Sequence, residues 1–159
     1  MINKNHHYTV AVEWTGNMGL GTENYEVYER SHNVQVEGKP LLECSSDTPF
    51  RGDAGKYNPE DFFVSSLATC HMLWFLHICA DNDVVVHSYT DKAEGMMVVS
   101  PDAPGHFASV VLNPVVGVAE EWMLAKANEL HAEAHKKCFI ANSCNFPIEV
   151  KPSSIVAAI

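Results

Sequence analysis

The sequence predicts an α+β fold in a single domain over residues 1–159. Two long helical segments alternate with groups of short strands, in the order strands, helix, strands, helix, strand, which is typical of α+β proteins. The chain has 159 residues, of which 47% are apolar and 19% charged. It is therefore long enough for a sizeable core and has the composition of a globular protein.

The strands are predicted from short runs of β-forming residues that end at glycine or proline turns. Residues 8–14 alternate in polarity and end at Thr15-Gly16. Gly95 separates two apolar segments, which we expect to form one bent strand or a hairpin. The full set of predicted strands is 8–14, 25–28, 34–36, 41–44, 84–93, 96–99, 107–116 and 148–151.

The first helix is predicted from Asn58 to about residue 80. Asn58 can cap the helix and Pro59 suits its first position, while Glu60 favours the positive end of the helix dipole. Apolar residues lie nearly all round this helix, so we expect it to be central and buried. One sheet and one partner helix do not cover every side, and this indicates a tight homodimer. A second, alanine-rich helix is predicted over about residues 119–138.

Charge and hydropathy limit the classes of partner. The net charge of −10 argues against nucleic-acid binding, which needs a positive field. The polar first seven residues contain no apolar signal region. His71, His77 and Asp81 interrupt or close the longest apolar run, so we expect no membrane span and a cytoplasmic location. Five cysteines in a reducing compartment do not indicate a disulfide framework.

Cys70 and Cys138 are the candidate reactive residues. They are 68 residues apart, and each lies on a predicted helix that could carry it into the interior. Two such thiols can perform redox chemistry through a disulfide, whereas a single buried thiol is usually packing. The other cysteines are predicted to be structural, although Cys144 is close enough in sequence to Cys138 to compete for a disulfide.

A reactive Cys70 needs a nearby positive group that lowers its thiol pKa. The only two arginines, Arg51 and Arg30, are the candidates, and Glu60 could orient either through a bidentate ion pair. Ten residues of ideal helix place Glu60 about 15 Å from Cys70, so the arginine would have to bridge them unless Glu60 folds back.

The histidines of the second helix offer a different chemistry. His131, His135 and Cys138 lie on one helical face, and with Cys70 they could form a zinc site. The interpretation we favour is that these histidines are solvated. His71 and His77 are interpreted as hydrogen-bonded core or interface residues.

The two cysteine segments resemble the OsmC/Ohr proteins. The motif Asn58-Pro59-Glu60 is followed ten residues after its glutamate by Cys70, and Cys138 ends a later alanine-rich helix before the last strand. Residues 50–74 and 134–143 are similar to an OsmC-like branch of that family. The chain departs from the family at Phe139, where many members have proline after the second cysteine.

The resemblance implies antiparallel sheets around long central helices in an intertwined homodimer, with two active sites at the interface. It implies reduction of organic hydroperoxides, and of hydrogen peroxide less well, with neither a cofactor nor a metal. Cys70 would be the peroxidatic thiolate and Cys138 the resolving thiol. Glu60 would hold the activating arginine, with Arg51 preferred over Arg30. The implied reductant is an external dithiol of the lipoyl type.

Apolar residues near the cysteines could hold the organic tail of the peroxide. The candidates are Phe62, Phe63, Met72 and Phe139. Two alternatives from other classes stay open at this point. The chain could be a non-catalytic dimeric binding protein for a small hydrophobic ligand, or a His/Cys metal-binding protein.

Overall fold

The computed structural model describes residues 5–157. Its contacts divide the chain into two compact units, Met1–Phe62 and Phe63–Ile159. Two helices, α1 over Pro59–Asp81 and α2 over Met123–Lys137, alternate with three groups of strands. This arrangement confirms the α+β class, and a single domain over residues 1–159 stays a prediction.

The first unit contains a three-stranded antiparallel sheet. Its strands are β1 (Ala11–Trp14), β2 (His32–Gln35) and β3 (Leu42–Cys44), in that order across the sheet.

The predicted strand at 25–28 is wrong, because these residues form turns. The carbonyls of Tyr25 and Tyr28 accept hydrogen bonds from the guanidinium of Arg30. Those two carbonyls are therefore occupied by a side chain and not by a neighbouring strand.

The second unit contains two three-stranded sheets. In one sheet the order is β4 (Val86–Asp91), β7 (Pro114–Val118) and β9 (Ser153–Val156). In the other it is β5 (Glu94–Ser100), β6 (Ala103–Leu112) and β8 (Ile148–Val150). The expected antiparallel pairing holds for β4 with β7 and for β5 with β6. In contrast, β8 pairs in parallel with β6, and β9 pairs in parallel with β7.

Three predicted boundaries in this unit are wrong. Segments 84–93 and 96–99 are neither one bent strand nor a hairpin with each other, since β4 and β5 belong to different sheets. The predicted strand 107–116 is broken at Asn113. The N–H of Asn113 donates to Asp91 Oδ1 (2.7 Å), and Pro114 has no N–H to donate. Helix α2 begins at Met123 and not at residue 119.

Helix α1 begins at Pro59, directly after the predicted capping residue Asn58. The N–H of Asp61 donates to Asn58 Oδ1 (2.7 Å), and the N–H of Asn58 donates back to Asp61 Oδ2 (3.2 Å). Further along, α1 packs Phe75 into a core with Val116 of β7 and Ala127 of α2. The small side chain of Ala127 permits the close approach expected of this helix.

The apolar surface of α1 is only partly covered within the chain. By length and composition this helix could cross a membrane, a test that a buried core helix also passes. Contrary to the expectation from the sequence, His71 and His77 therefore do not shorten the apolar run below membrane-spanning length. Only 28% of that apolar stretch is buried, and Leu73 is 63% exposed. Most of the helix lacks the cover that its composition predicts.

Candidate active site

Helices α1 and α2 bring Cys70 and Cys138 together. The two thiols lie close enough for Cys70 to raise the pKa of Cys138, although the residues are 68 positions apart in the sequence. Cys70 is half-buried, whereas Cys138 is only 1% exposed. The thiol pair singled out in the sequence is thus one compact group in the second unit, and Cys70 is its more accessible member.

Cys138 lies at the carboxyl end of α2, where the backbone leaves the helix. Its N–H donates to the carbonyl of His135 (3.3 Å), and its sulfur accepts a hydrogen bond from the N–H of Ala141 (3.4 Å). Burial, together with the neighbouring Cys70 thiol, raises the pKa of Cys138 to about 11. Cys138 is therefore a protonated thiol near neutral pH.

An apolar cavity of about 340 Å³ opens beside Cys70. Its other lining residues are Leu73, Trp74, His77 and Phe139. The rings of Trp74 and Phe139 meet edge to face, with centroids 5.5 Å apart and planes at 79°. This cavity can accept an apolar group while the Cys70 thiol stays within its reach.

Only Phe139 of the four predicted tail-binding residues lines this cavity. Phe63 packs instead on the ring of Phe107 (centroids 4.8 Å apart), in a different part of the core. The residues missed were Leu73, Trp74 and His77. Their helical spacing from Cys70, at i+3, i+4 and i+7, was the signal that could have found them.

The two candidate arginines have different surroundings, both in the first unit. The guanidinium of Arg30 lies over the rings of Tyr25 and Tyr28, 4.0 and 4.2 Å from their centroids. Arg51 is exposed, has a left-handed backbone (φ 65°) and donates a long hydrogen bond (3.5 Å) to the carbonyl of Glu26. Both arginines line a cavity of about 490 Å³.

Glu60 has no arginine partner within the described chain. Neither arginine lies within ion-pair distance of a carboxylate among residues 5–157. The Oε2 atom of Glu60 is buried and accepts no hydrogen bond from any described residue. A buried carboxylate oxygen without a donor is costly, so Glu60 Oε2 has an unused acceptor position of the kind that a guanidinium satisfies. The predicted ion pair stays a prediction.

His71 and His131 form a buried pair between α1 and α2. His71 Nε2 lies 2.9 Å from His131 Nδ1, and His131 stacks on Phe75 with ring centroids 3.9 Å apart. Burial lowers the pKa of His71 to about 4 and that of His131 to about 3, with smaller contributions from neighbouring imidazoles. The core interpretation of His71 is confirmed. The solvated interpretation of His131 is wrong, because this residue is only 2% exposed.

This histidine pair does not suit the metal-binding alternative. His131 Nδ1 already faces a ring nitrogen of His71. Within residues 5–157 no group of three or more histidine, cysteine or acidic residues could hold a metal ion.

The remaining cysteines are consistent with structural roles. Cys44 and Cys79 are buried and Cys144 is half-buried, and burial raises the pKa of each thiol, to about 11 for Cys79. Raised pKa values of this kind leave the three thiols weakly nucleophilic at neutral pH.

Comparison with known proteins identifies the family. Residues 52–153 match the sequence model of the OsmC-like protein family. No protein with a curated description matches the chain. Among solved structures, an OsmC-like protein of unknown function from Vibrio cholerae is similar at 29% sequence identity and a TM-score of 0.80. The match covers 95% of this chain and 100% of the other.

Two more distant structures share the fold. An organic hydroperoxide resistance protein OsmC from Legionella pneumophila is 18% identical, with a TM-score of 0.69, and 97% of this chain aligns with 100% of that one. An organic hydroperoxide resistance protein from Elizabethkingia anophelis, with thiocyanate bound, is 17% identical, with a TM-score of 0.68 and the same coverage. The matched family covers most of the sequence, including both cysteine segments, and the chain therefore belongs to the OsmC/Ohr family.

Proposed function

We propose that this protein is a thiol-dependent peroxidase that reduces organic hydroperoxides, and hydrogen peroxide less well. The observation that carries the proposal is the placement of two neighbouring thiols, Cys70 and Cys138, beside an apolar cavity. Membership of the OsmC/Ohr family and the likeness to organic hydroperoxide resistance proteins support it.

The reaction uses both thiols in sequence. The Cys70 thiolate attacks the distal oxygen of ROOH, so that an S–O bond forms, the O–O bond breaks, and the leaving alkoxide takes a proton to become an alcohol. The Cys138 sulfur then attacks the Cys70 sulfenic acid, forming the disulfide and releasing water. An external dithiol, of the lipoyl type that the family resemblance suggests, supplies two electrons and two protons to restore both thiols.

The two cysteines have unequal roles for a physical reason. Cys70 borders the cavity and is the sulfur that a peroxide reaches first. Cys138 is covered, and its pKa of about 11 leaves almost none of it as thiolate at neutral pH. We therefore assign the attack on peroxide to Cys70 and the resolving step to Cys138.

An arginine activates Cys70 in this proposal, and Glu60 holds it. The unpaired buried oxygen of Glu60 supports the presence of such a donor, because a guanidinium would satisfy it. Arg51 is the preferred candidate, since it is exposed and its guanidinium makes a long hydrogen bond, whereas Arg30 is held by two aromatic rings. The arginine lowers the thiol pKa and stabilises the charge that develops on the peroxide.

The active protein is expected to be a homodimer. Leu73 and most of the apolar surface of α1 lack cover within one chain, and Val12 and Trp14 of β1 are exposed as well. Light scattering after size exclusion should give twice the chain mass of 17.6 kDa. A monomer at micromolar concentration would contradict this expectation.

Cys138→Ser tests the division of roles. We expect this variant to consume one equivalent of cumene hydroperoxide and then stop, because the sulfenic acid on Cys70 has no resolving thiol. Mass spectrometry after treatment with dimedone should find the adduct on Cys70. In the matched control Cys144→Ser, the disulfide should form and no adduct should remain. Adduct on another cysteine, or a disulfide from Cys70 to Cys144, would contradict the assignment.

The apolar cavity also favours a second candidate function, binding of a small hydrophobic ligand without catalysis. In that case the reduced protein would consume no peroxide, and Cys138→Ser would leave ligand affinity unchanged. Peroxide consumption by the reduced wild type separates the two functions directly.

A further inference from the structure

Phe139 is an aromatic residue that stays largely exposed although its ring packs against Trp74. It directly follows Cys138, and its side chain is 68% exposed. Its backbone is nevertheless held in place, since its carbonyl accepts a hydrogen bond from Ser143 Oγ (2.9 Å). The N–H of Asn142 also donates to the carbonyl of Cys138 (3.0 Å). The chain thus presents this ring beside the reactive thiols from a fixed backbone.

The ring of Phe139 forms one wall of the cavity, and Trp74 forms another. The two rings meet edge to face and line the same cavity as Cys70, and the Phe139 side chain stays 68% exposed. Aromatic rings add edge-to-face or offset-stacked partners favourably, beyond the gain from burying apolar area. A third ring, carried by the substrate, could complete this arrangement while its peroxide reaches Cys70.

Two basic side chains near the cavity, Lys137 and His77, each lie beside a carboxylate. Lys137 Nζ lies 5.7 Å from the Trp74 ring and 2.9 Å from Glu133 Oε1. His77 Nε2 lies 3.5 Å from Asp81 Oδ2. A carboxylate on the substrate would compete with these partners and enter a cavity with mostly apolar walls, which is costly for a charge.

We propose that Phe139 is the specificity-determining residue of this site and selects uncharged hydroperoxides that carry an aromatic group. This inference rests on the proposed peroxidase function. It goes beyond that function by naming the substrate class and the residue responsible, at a position where this chain departs from the proline that many relatives have.

Two peroxides of matched structure test the proposal. Cumene hydroperoxide and tert-butyl hydroperoxide have the same tertiary peroxide carbon and differ only in a phenyl group against a methyl group. The quantity to measure is the second-order rate constant of thiol oxidation in the fully reduced protein, which needs no added reductant. We expect the wild type to favour cumene hydroperoxide by about 10-fold or more.

Phe139→Ala should lower the rate with cumene hydroperoxide about 5- to 10-fold more than the rate with tert-butyl hydroperoxide. Phe139→Leu keeps apolar area but not the ring. Its preference for cumene hydroperoxide should lie between those of the wild type and Phe139→Ala. Two results would overturn the proposal. One is a wild type without preference, and the other is an equal loss for both peroxides in Phe139→Ala, which would mean that Phe139 acts only through Cys138.

A binding measurement keeps this test separate from the proposed function. In a Trp14→Phe/Trp122→Phe background, Trp74 is the remaining tryptophan. We expect its fluorescence to change on titration with cumyl alcohol, the product of cumene hydroperoxide, and not with tert-butanol. Loss of that response in Phe139→Ala supports the aromatic selectivity even if the protein consumes no peroxide. An unaltered response in Phe139→Ala would overturn the selectivity even if the peroxidase activity is confirmed.

Discussion

Replacement of Cys70 with serine is expected to abolish peroxidase activity. The serine hydroxyl is not ionised at neutral pH and cannot accept oxygen from a peroxide as a thiolate does. The rate of cumene hydroperoxide loss in the presence of excess dithiothreitol should therefore fall by on the order of 10³-fold or more. Cys70 is half-buried on α1, and serine is close to it in size, so the fold should persist.

Cys79→Ala is the matched control for this prediction. Cys79 lies on the same helix but is buried in the core, where its raised pKa leaves it unreactive. The Cys79→Ala variant should consume peroxide at a rate within about 2-fold of the wild type, since no step of the mechanism uses this thiol. Full activity in Cys70→Ser would remove the basis for the proposed mechanism.

The second large effect is a loss of stability in mild acid that arises from His71 and His131. Both have folded-state pKa values, about 4 and about 3, that lie below the ordinary value of 6.5. Between pH 6.5 and 4 the unfolded chain therefore binds more protons than the folded chain, and the free energy of unfolding falls as the pH falls. From pH 7 to pH 5 we expect a loss on the order of 4 kcal/mol from the pair, about half of it from each histidine.

Urea unfolding at fixed protein concentration, at pH 7 and at pH 5, measures this loss. His131→Gln removes one titrating ring and should halve the difference between the two pH values. His87→Gln is the matched control, because His87 is exposed on β4 and should leave the difference unchanged. An equal pH dependence in the wild type and His131→Gln would show that the buried pair does not control acid stability.

Helix α1 could be predicted closely from the sequence because its signals are local. Asn58 caps the helix as its side chain suggested, and Asp61, three residues later, completes the cap. The strand predicted at 25–28 failed for the opposite reason. There the side chain of Arg30 occupies backbone carbonyls, and a propensity for strands contains no information about that contact. The break at Asn113 likewise depends on Asp91, which lies 22 residues earlier.

The candidate site was predictable only in part. Helical periodicity places the cavity residues Leu73, Trp74 and His77 on the same face of α1 as Cys70. No local sequence signal, however, indicates which face of a uniformly apolar helix opens onto a cavity. The approach of Cys138 to Cys70 was implied by the family resemblance and not by spacing. The contact between His71 and His131 joins residues 60 positions apart, and a hydrogen bond between two imidazoles leaves no pattern in sequence.

The central claim is that Cys70 and Cys138 pass through a disulfide when the protein reduces a peroxide. The most direct measurement mixes fully reduced protein with one equivalent of cumene hydroperoxide and follows the product by intact mass and peptide mapping. A mass loss of about 2 Da, equal to two hydrogens, with Cys70 linked to Cys138, is the predicted result. Thiols that stay free under excess peroxide would contradict the account and leave a ligand-binding protein as the better interpretation of the cavity.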